Sequence, residues 1–373
     1  MNGAAGRGIR CLLMRGGTSK GAYFLAEDLP ADPAERDDLL IRIMGSGDPR
    51  QIDGIGGAHP LTSKVAVVSR AANSANSANT EANAGGDGDA DVDYLFLQLG
   101  VDQATVSSQQ NCGNLLAAVG PFAVERGLIA AGPEQTTTRI RMVNSGSLAT
   151  ARFETPGGQP RYDGDTAISG VPGTAAAIVL DFTDTEGSAT GSLLPTGHLR
   201  DEIDGIEVTC IDNGMPVVVT RAAGLGLTGY ESHQELGADQ ALRDRIQSLR
   251  IQAGKLMGLG DVTSASVPKT TLVAAPRDGG TICTRTFIPV QPHTAIGVLG
   301  AVSVVTALAI PGAVGAELAG RPDGVRYDVE HPTGRLQIEA EVDTSGDTPR
   351  VRRSGVVRTA RKLFDGTVFP RSH

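Results

Sequence analysis

The chain has 373 residues, enough for two or three domains, and a formal net charge of −9 at pH 7 with no basic run anywhere, which excludes a nucleic-acid-binding surface. No apolar stretch reaches the roughly 18 residues that a membrane span needs, and the N-terminus lacks the apolar core of a signal peptide, so a cytoplasmic protein is expected. The cysteines stand singly at 11, 112, 210 and 283, which excludes a disulfide framework or a zinc knuckle, and with no Trp and few aromatics the cores must be built from Val, Ile, Leu and Ala.

Apolar runs of strand length, bounded by Gly, Pro, Asn or Asp, fall at 9–14, 65–68, 94–99, 140–143, 175–180, 208–211, 216–219, 272–275 and 281–288. Between the first two, Asp32-Pro33-Ala34-Glu35 combines an N-cap, a first-turn proline and a capping-box glutamate before Leu39-Leu40-Ile41, and Gly45 offers the stop. Residues 71–91 are low in complexity, rich in Ala, Asn, Ser, Gly and Asp, and predict a flexible surface insertion between two strands. A helix over 113–126, closed by Gly127, is apolar nearly all round and must therefore be buried; Pro121 is expected to kink it. The Gly-, Ser- and Thr-rich stretch 184–195 marks a boundary between domains at 1–187 and 188–373. Ser232 with Glu235 opens another helix, whose Leu242, Ile246, Leu249 and Leu256 keep helical spacing up to Gly258. A second wholly apolar helix spans 295–310 before Pro311-Gly312.

Each apolar helix follows a polar tetrad, Gln110-Asn111-Cys112-Gly113 in one half and Gln291-Pro292-His293-Thr294 in the other, which reads as a diverged duplication. Strand and helix do not alternate as a doubly wound parallel sheet requires. The expected class is α+β, with two similar domains that each wrap an antiparallel β half-barrel around a central helix.

Two runs carry the chemistry. Arg15-Gly16-Gly17-Thr18-Ser19-Lys20 offers cations and glycine-exposed N–H groups suited to carboxylates, and it lacks the order of a phosphate-binding Walker loop because Gly21, not Ser or Thr, follows Lys20. Asn111-Cys112-Gly113-Asn114 places a thiol where a helix begins, a setting that favours thiolate. Cys11, Cys210 and Cys283 sit in strand patterns and read as packing residues. Lys64 opens a strand after a Gly-rich turn, a position where desolvation can turn a lysine into a base; Lys269 is placed similarly and is assigned to substrate binding. His293 and Thr294 are kept as binding candidates, although capping is the commoner role of such a histidine. Gly224-Leu225-Gly226-Leu227-Thr228-Gly229 matches a dinucleotide fingerprint, but its following helix starts too late and no strand-end acid is spaced correctly, so a nicotinamide site is rejected. Six scattered histidines give no metal spacing, and no metal or organic cofactor is expected.

Taken with Asp53-Gly54-Ile55-Gly56-Gly57, Leu61-Thr62-Ser63-Lys64, Ile211-Asp212-Asn213-Gly214-Met215-Pro216, Val267-Pro268-Lys269 and Gly297-Val298-Leu299-Gly300-Ala301, the two runs resemble the PrpF-like isomerases. Within that family the chain is most similar to the 4-oxalomesaconate tautomerases and Δ-isomerases, over about residues 8–369. The resemblance implies a diaminopimelate-epimerase-like fold with the active site in the cleft between two domains, and cofactor-independent proton transfer by Lys64 and Cys112. It also implies that Asn111, Gly113 and Asn114 aim a helix N-terminus at a carboxylate of a small tricarboxylate substrate. The implied reaction is keto–enol tautomerisation of 4-oxalomesaconate to 4-carboxy-2-hydroxymuconate in gallate or protocatechuate degradation. A 1,3-allylic isomerisation of the same compound, or of aconitate or methylitaconate, is the alternative. Assembly into a homo-oligomer is left open.

Overall fold

The structure, a computed structural model, describes residues 8–71, 90–109, 111–182, 185–346 and 348–372. In chain order the elements are β1 Ile9–Gly16, β2 Ser19–Leu25, α1 Pro33–Met44, β3 Lys64–Arg70, β4 Val92–Leu99, β5 Val106–Ser107, α2 Gly113–Glu125, β6 Gln135–Met142, β7 Leu148–Glu154 and β8 Ala177–Phe182. They continue with β9 Asp201–Ile203, β10 Ile206–Asp212, β11 Pro216–Arg221, α3 His233–Ala238, α4 Gln240–Leu256, β12 Lys269–Ala274, β13 Ile282–Phe287, α5 Val298–Ala309, β14 Arg326–His331, β15 Gly334–Asp343 and β16 Arg350–Val368. The class is α+β. Most of the expected low-complexity insertion, residues 72–89, lies outside the described residues, as does Gln110.

The chain divides into two compact units. One gathers the described residues through Leu180 together with those from Arg358 onward, and the other comprises Asp181–Val357. The division differs from the expected 1–187 and 188–373 because β16 is long enough to serve both: its first half pairs with β15 and its second half pairs with β1 from Gly16↔Ala360 to Ile9↔Val368. Nothing local in 350–368 signals that return, since strand pairing is a long-range choice.

The expectation of antiparallel sheets is corrected. In the first unit β1 runs antiparallel to β2, β2 parallel to β3, β3 antiparallel to β4, β4 parallel to β6, and β6 antiparallel to β7. The same order recurs in the second unit through β10, β11, β12, β13, β14 and β15. Each parallel pair is joined through helix: α1, α2, α3 with α4, and α5, respectively. Two parallel strands can be linked only by a crossover of a dozen or more residues, whereas a tight hairpin forces antiparallel pairing. The repeated pattern is the topological form of the duplication.

In the first unit the strand path β1-β2-β3-β4-β6-β7-β8-β16 returns to β1, and α2 contacts β1, β2, β3, β4, β6 and β7. Leu115 through Ala123 of α2 are all buried, and each of Leu115, Leu116, Val119 and Phe122 contributes about 1.5–3 kcal/mol by burial. The helix runs through Pro121 to Glu125, and Gly127 follows at φ 69°. On the other side of the strands, Leu40, Ile43 and Met44 of α1 pack against Cys11, Ala22, Phe24, Val65, Val67, Leu97 and Leu99. Strands covered on both faces need apolar residues at successive positions, which is why they read as unbroken runs and not as alternations.

The second unit repeats this layering. Gly300 through Leu308 of α5 are buried against β10, β11, β14 and β15, while α4 sets Leu242, Ile246, Leu249 and Ala253 into the core beside β9 and β12. The helix expected from Ser232 is two helices: Ser232 and Glu235 form a capping box on α3, and Asp239 then accepts from the Leu242 N–H and starts α4 afresh. Asp32 caps α1 through the Ala34 and Glu35 N–H groups, and Gly45 closes it at φ 71°. The second apolar helix starts at Val298, three residues later than expected, with Gly297 as its N-cap.

Candidate active site

The two runs singled out above meet inside the first unit. Asn114, at the second position of α2, donates from Nδ2 to Thr18 Oγ1 (3.0 Å) and Ser19 Oγ (3.3 Å), and its Oδ1 accepts from the Thr18 N–H at 3.4 Å. Backbone approaches backbone here. A Cβ on Gly16 would stand 2.4 Å from the Asn114 carbonyl oxygen, and one on Gly21 would stand 2.7 Å from Leu115 Cδ2 and 2.8 Å from the Lys64 carbonyl oxygen. Glycine at 21 thus lets the first turn of α2 lie directly over the start of β3.

Strand alternation sorts the remaining candidates. Ser19 and Gly21 face α2, so their neighbour Lys20, and Arg15 opposite it in register, face away. Arg15 is spent on structure: Nη1 donates to the carbonyl oxygens of Gly17 (2.9 Å) and Thr359 (3.1 Å) and to Thr359 Oγ1 (2.9 Å). Burial, then the nearby charge of Arg361, lower its pKa. The expected clamp of Arg15 and Lys20 is therefore not assembled on the face that holds Ser19. A hairpin's register decides which side a charge takes, and one residue's shift reverses it.

Lys64 does face α2. It is the first residue of β3, is 7% exposed, and its Nζ donates to Gln98 Oε1 at 2.7 Å with the Phe96 ring centre 4.9 Å away. Cys112 is the N-cap of α2 and is 8% exposed; its carbonyl oxygen accepts from the Leu116 N–H and from Tyr94 Oη at 3.3 Å. Tyr23 Oη donates to the Leu115 carbonyl at 2.6 Å. Burial first, and then charge on Cys112, raise the pKa of both tyrosines, which keeps them as protonated donors bracing the turn. Asn111 is exposed and donates to Ser145 Oγ at 2.7 Å. A Cβ on Gly113 would meet nothing within 4 Å, so the first turn of α2 has open space before it. With no side-chain cap on this helix, N–H groups are left for an anion.

In the second unit Lys269 occupies the position that Lys64 holds in the first, the first residue of a strand running parallel to its predecessor. Its Nζ lies 3.6 Å from where a Cβ on Gly297 would be, beside the uncapped start of α5, and burial lowers its pKa. The position corresponding to Cys112 is Gly297. His293 and Thr294 precede the helix by several residues: His293 Nδ1 accepts from the Ala295 N–H at 2.8 Å, and the exposed Thr294 offers its carbonyl to Thr333 Oγ1 at 2.9 Å. The polar tetrads are thus not equivalent, because the second helix starts later. Asp212 and Asn213 also turn out to be supports. Asp212 is held by Ala189, Thr190 and Ser188, while Asn213 is tied to Thr185, Ser303 and Thr306. Among the described residues no group of three or more His, Cys, Asp or Glu is arranged to hold a metal ion, and no helix is long and apolar enough to cross a membrane.

The sequence profile described as PrpF protein matches residues 7–371. The (4E)-oxalomesaconate Delta-isomerase of Novosphingobium sp. (strain KA1) is 55% identical over 361 residues, covering 96% of each chain. The 4-oxalomesaconate tautomerase of Pseudomonas putida is 53% identical over 362 residues, covering 96% of this chain and 95% of that one. The crystal structure of methylitaconate-delta-isomerase superposes with a TM-score of 0.82 at 30% identity, covering 98% of this chain and 96% of that one. With a family match along nearly its full length and relatives above half identity, the chain belongs to the PrpF family.

Proposed function

We propose that this PrpF-family isomerase interconverts tautomers of 4-oxalomesaconate by moving one proton, with Lys64 as the base and Cys112 as the acid. The methylene of that substrate lies between a ketone and an unsaturated carboxylate, so conjugation supplies the electron sink. Lys64 Nζ takes the proton, the C–H pair moves into a dienolate, protonation on oxygen from the Cys112 thiol gives 4-carboxy-2-hydroxymuconate, and proton exchange with water returns the ammonium and thiolate to amine and thiol. The open N–H groups at the start of α2, with Ser19 and Asn114 beside them, receive a carboxylate and stabilise developing negative charge. Lys269 beside the α5 N-terminus is suited to a carboxylate. The diaminopimelate-epimerase-like reading of the fold, with two similar units each wrapped around a central helix, belongs to the same proposal.

The observation that supports this reading most is a buried lysine on the strand face turned toward α2 together with a buried thiol at the N-cap of that helix, in a chain over half identical to proteins named for this chemistry. The relative named as a Delta-isomerase favours a second reading, in which the proton returns to the distal alkene carbon and the double bond moves. Both readings share the first step. Lys64→Ala is expected to lower kcat by about 10³-fold, the scale of a positioned general base. Cys112→Ala tests the acid in the same way, and wild-type turnover in either variant would remove that group from the mechanism.

A further inference from the structure

We propose that Gln98 is the positioning residue that aims the Lys64 amine, an inference that rests on Lys64 being the base. Lys64 and Gln98 are direct partners in the β3–β4 register, so their side chains share the face turned toward α2. Gln98 Oε1 accepts from Lys64 Nζ at 2.7 Å, while Nε2 faces three carbonyl oxygens, those of Pro60 (3.1 Å), Ser63 (3.0 Å) and Leu99 (3.2 Å). Carbonyl oxygens only accept. Turning the amide over would set Oε1 against all three and an NH₂ against the amine, so backbone geometry fixes which end Lys64 meets.

The acceptor offered is therefore both fixed and uncharged, and each property matters. A neutral amine has two N–H bonds and one lone pair; committing one N–H to Oε1 means that the lone pair does not point at Gln98. A carboxylate in the same place would hold the amine as ammonium by ion pairing, and so occupy the site that the substrate's proton must enter. Gln98 anchors the lysine without that penalty. The backbone beneath is braced too: Gln51 Oε1 accepts from Ser63 Oγ at 2.7 Å, and the Ser63 carbonyl also takes the Leu99 N–H.

A double-substitution cycle on the full chain tests this with 4-oxalomesaconate as substrate. Gln98→Met keeps the length and removes the acceptor; it is expected to lower kcat about 10²-fold, the scale of a misplacement near 1 Å, with KM little changed. In a Lys64→Ala background the same substitution is expected to leave the residual rate unchanged, because its effect passes through the lysine. Wild-type kcat in Gln98→Met, or an equal fractional loss in both backgrounds, would overturn the proposal, the second outcome marking a support of the fold only. Full activity in Lys64→Ala would instead sink the base assignment. If Met at 98 prevents folding, Gln98→Asn, which withdraws the amide by one methylene, must show the same pattern.

Discussion

Gly21→Ala probes the contact on which the site depends. A methyl there would stand 2.8 Å from the Lys64 carbonyl oxygen and 2.7 Å from Leu115 Cδ2, where ordinary contact begins at 3.4 Å. Leucine can yield by changing rotamer. The carbonyl belongs to a strand hydrogen-bonded on both sides, so β3 must move about 0.6 Å at Lys64 relative to β2. Overpacking of this kind costs about 2 kcal/mol, which lowers the midpoint of thermal unfolding by roughly 4–8 °C in a unit of this size. The displacement is a good part of the ~1 Å that costs ~10²-fold in rate, so kcat is expected to fall about tenfold. Circular dichroism melting and steady-state kinetics on one preparation measure both. A variant with unchanged midpoint and unchanged kcat would refute the packing of α2 over Gly21 and, with it, the approach of Lys64 to that helix.

Gly113→Ala is the steric counterpart: its methyl meets nothing within 4 Å, so the melting midpoint is expected to hold, while KM is expected to rise because the methyl takes space before the N–H groups proposed to receive the carboxylate. Glu330 governs acid stability in the second unit. Burial pushes its carboxyl up, but the N–H groups of Arg277, Gly280 and Asp278, with the charge of Arg335, outweigh that and hold it below the usual range. A depressed folded pKa gives stability that is complete above the unfolded value, near 4.3, and is lost as pH falls below it. Unfolding free energy measured between about pH 5 and pH 3 should therefore decline less steeply in Glu330→Gln than in the unaltered chain, and equal slopes would refute the assignment.

Much of the fold is legible locally. Asp32, Pro33 and Gly45 bound α1 because caps act within one turn, and Cys112 is recognisable because Asn and Gly around it make a poor core but a good helix entrance. What escapes the sequence depends on partners distant in the chain. Parallel pairing follows from which strand a helix leads back to, and the sharing of β16 between units depends on pairing over more than three hundred residues. Arg15 and Lys20 look like ligand groups until the register of β1 and β2 turns them away from α2. Gln98 left a weak signal: in 94–98 the inward positions are Tyr, Phe and Gln, and one amide in an otherwise apolar and aromatic series calls for a partner. His293 misleads because the helix it precedes begins later, at the glycine cap.

Proton NMR of keto 4-oxalomesaconate incubated with the purified protein in D₂O follows removal and return of the proton together. Accelerated formation of the conjugated enol, with the rate about 10³-fold lower in Lys64→Ala, is the expected result. Deuterium at the distal carbon with a shifted double bond would assign the allylic isomerisation instead. No acceleration of either exchange or product would contradict proton transfer on this substrate altogether.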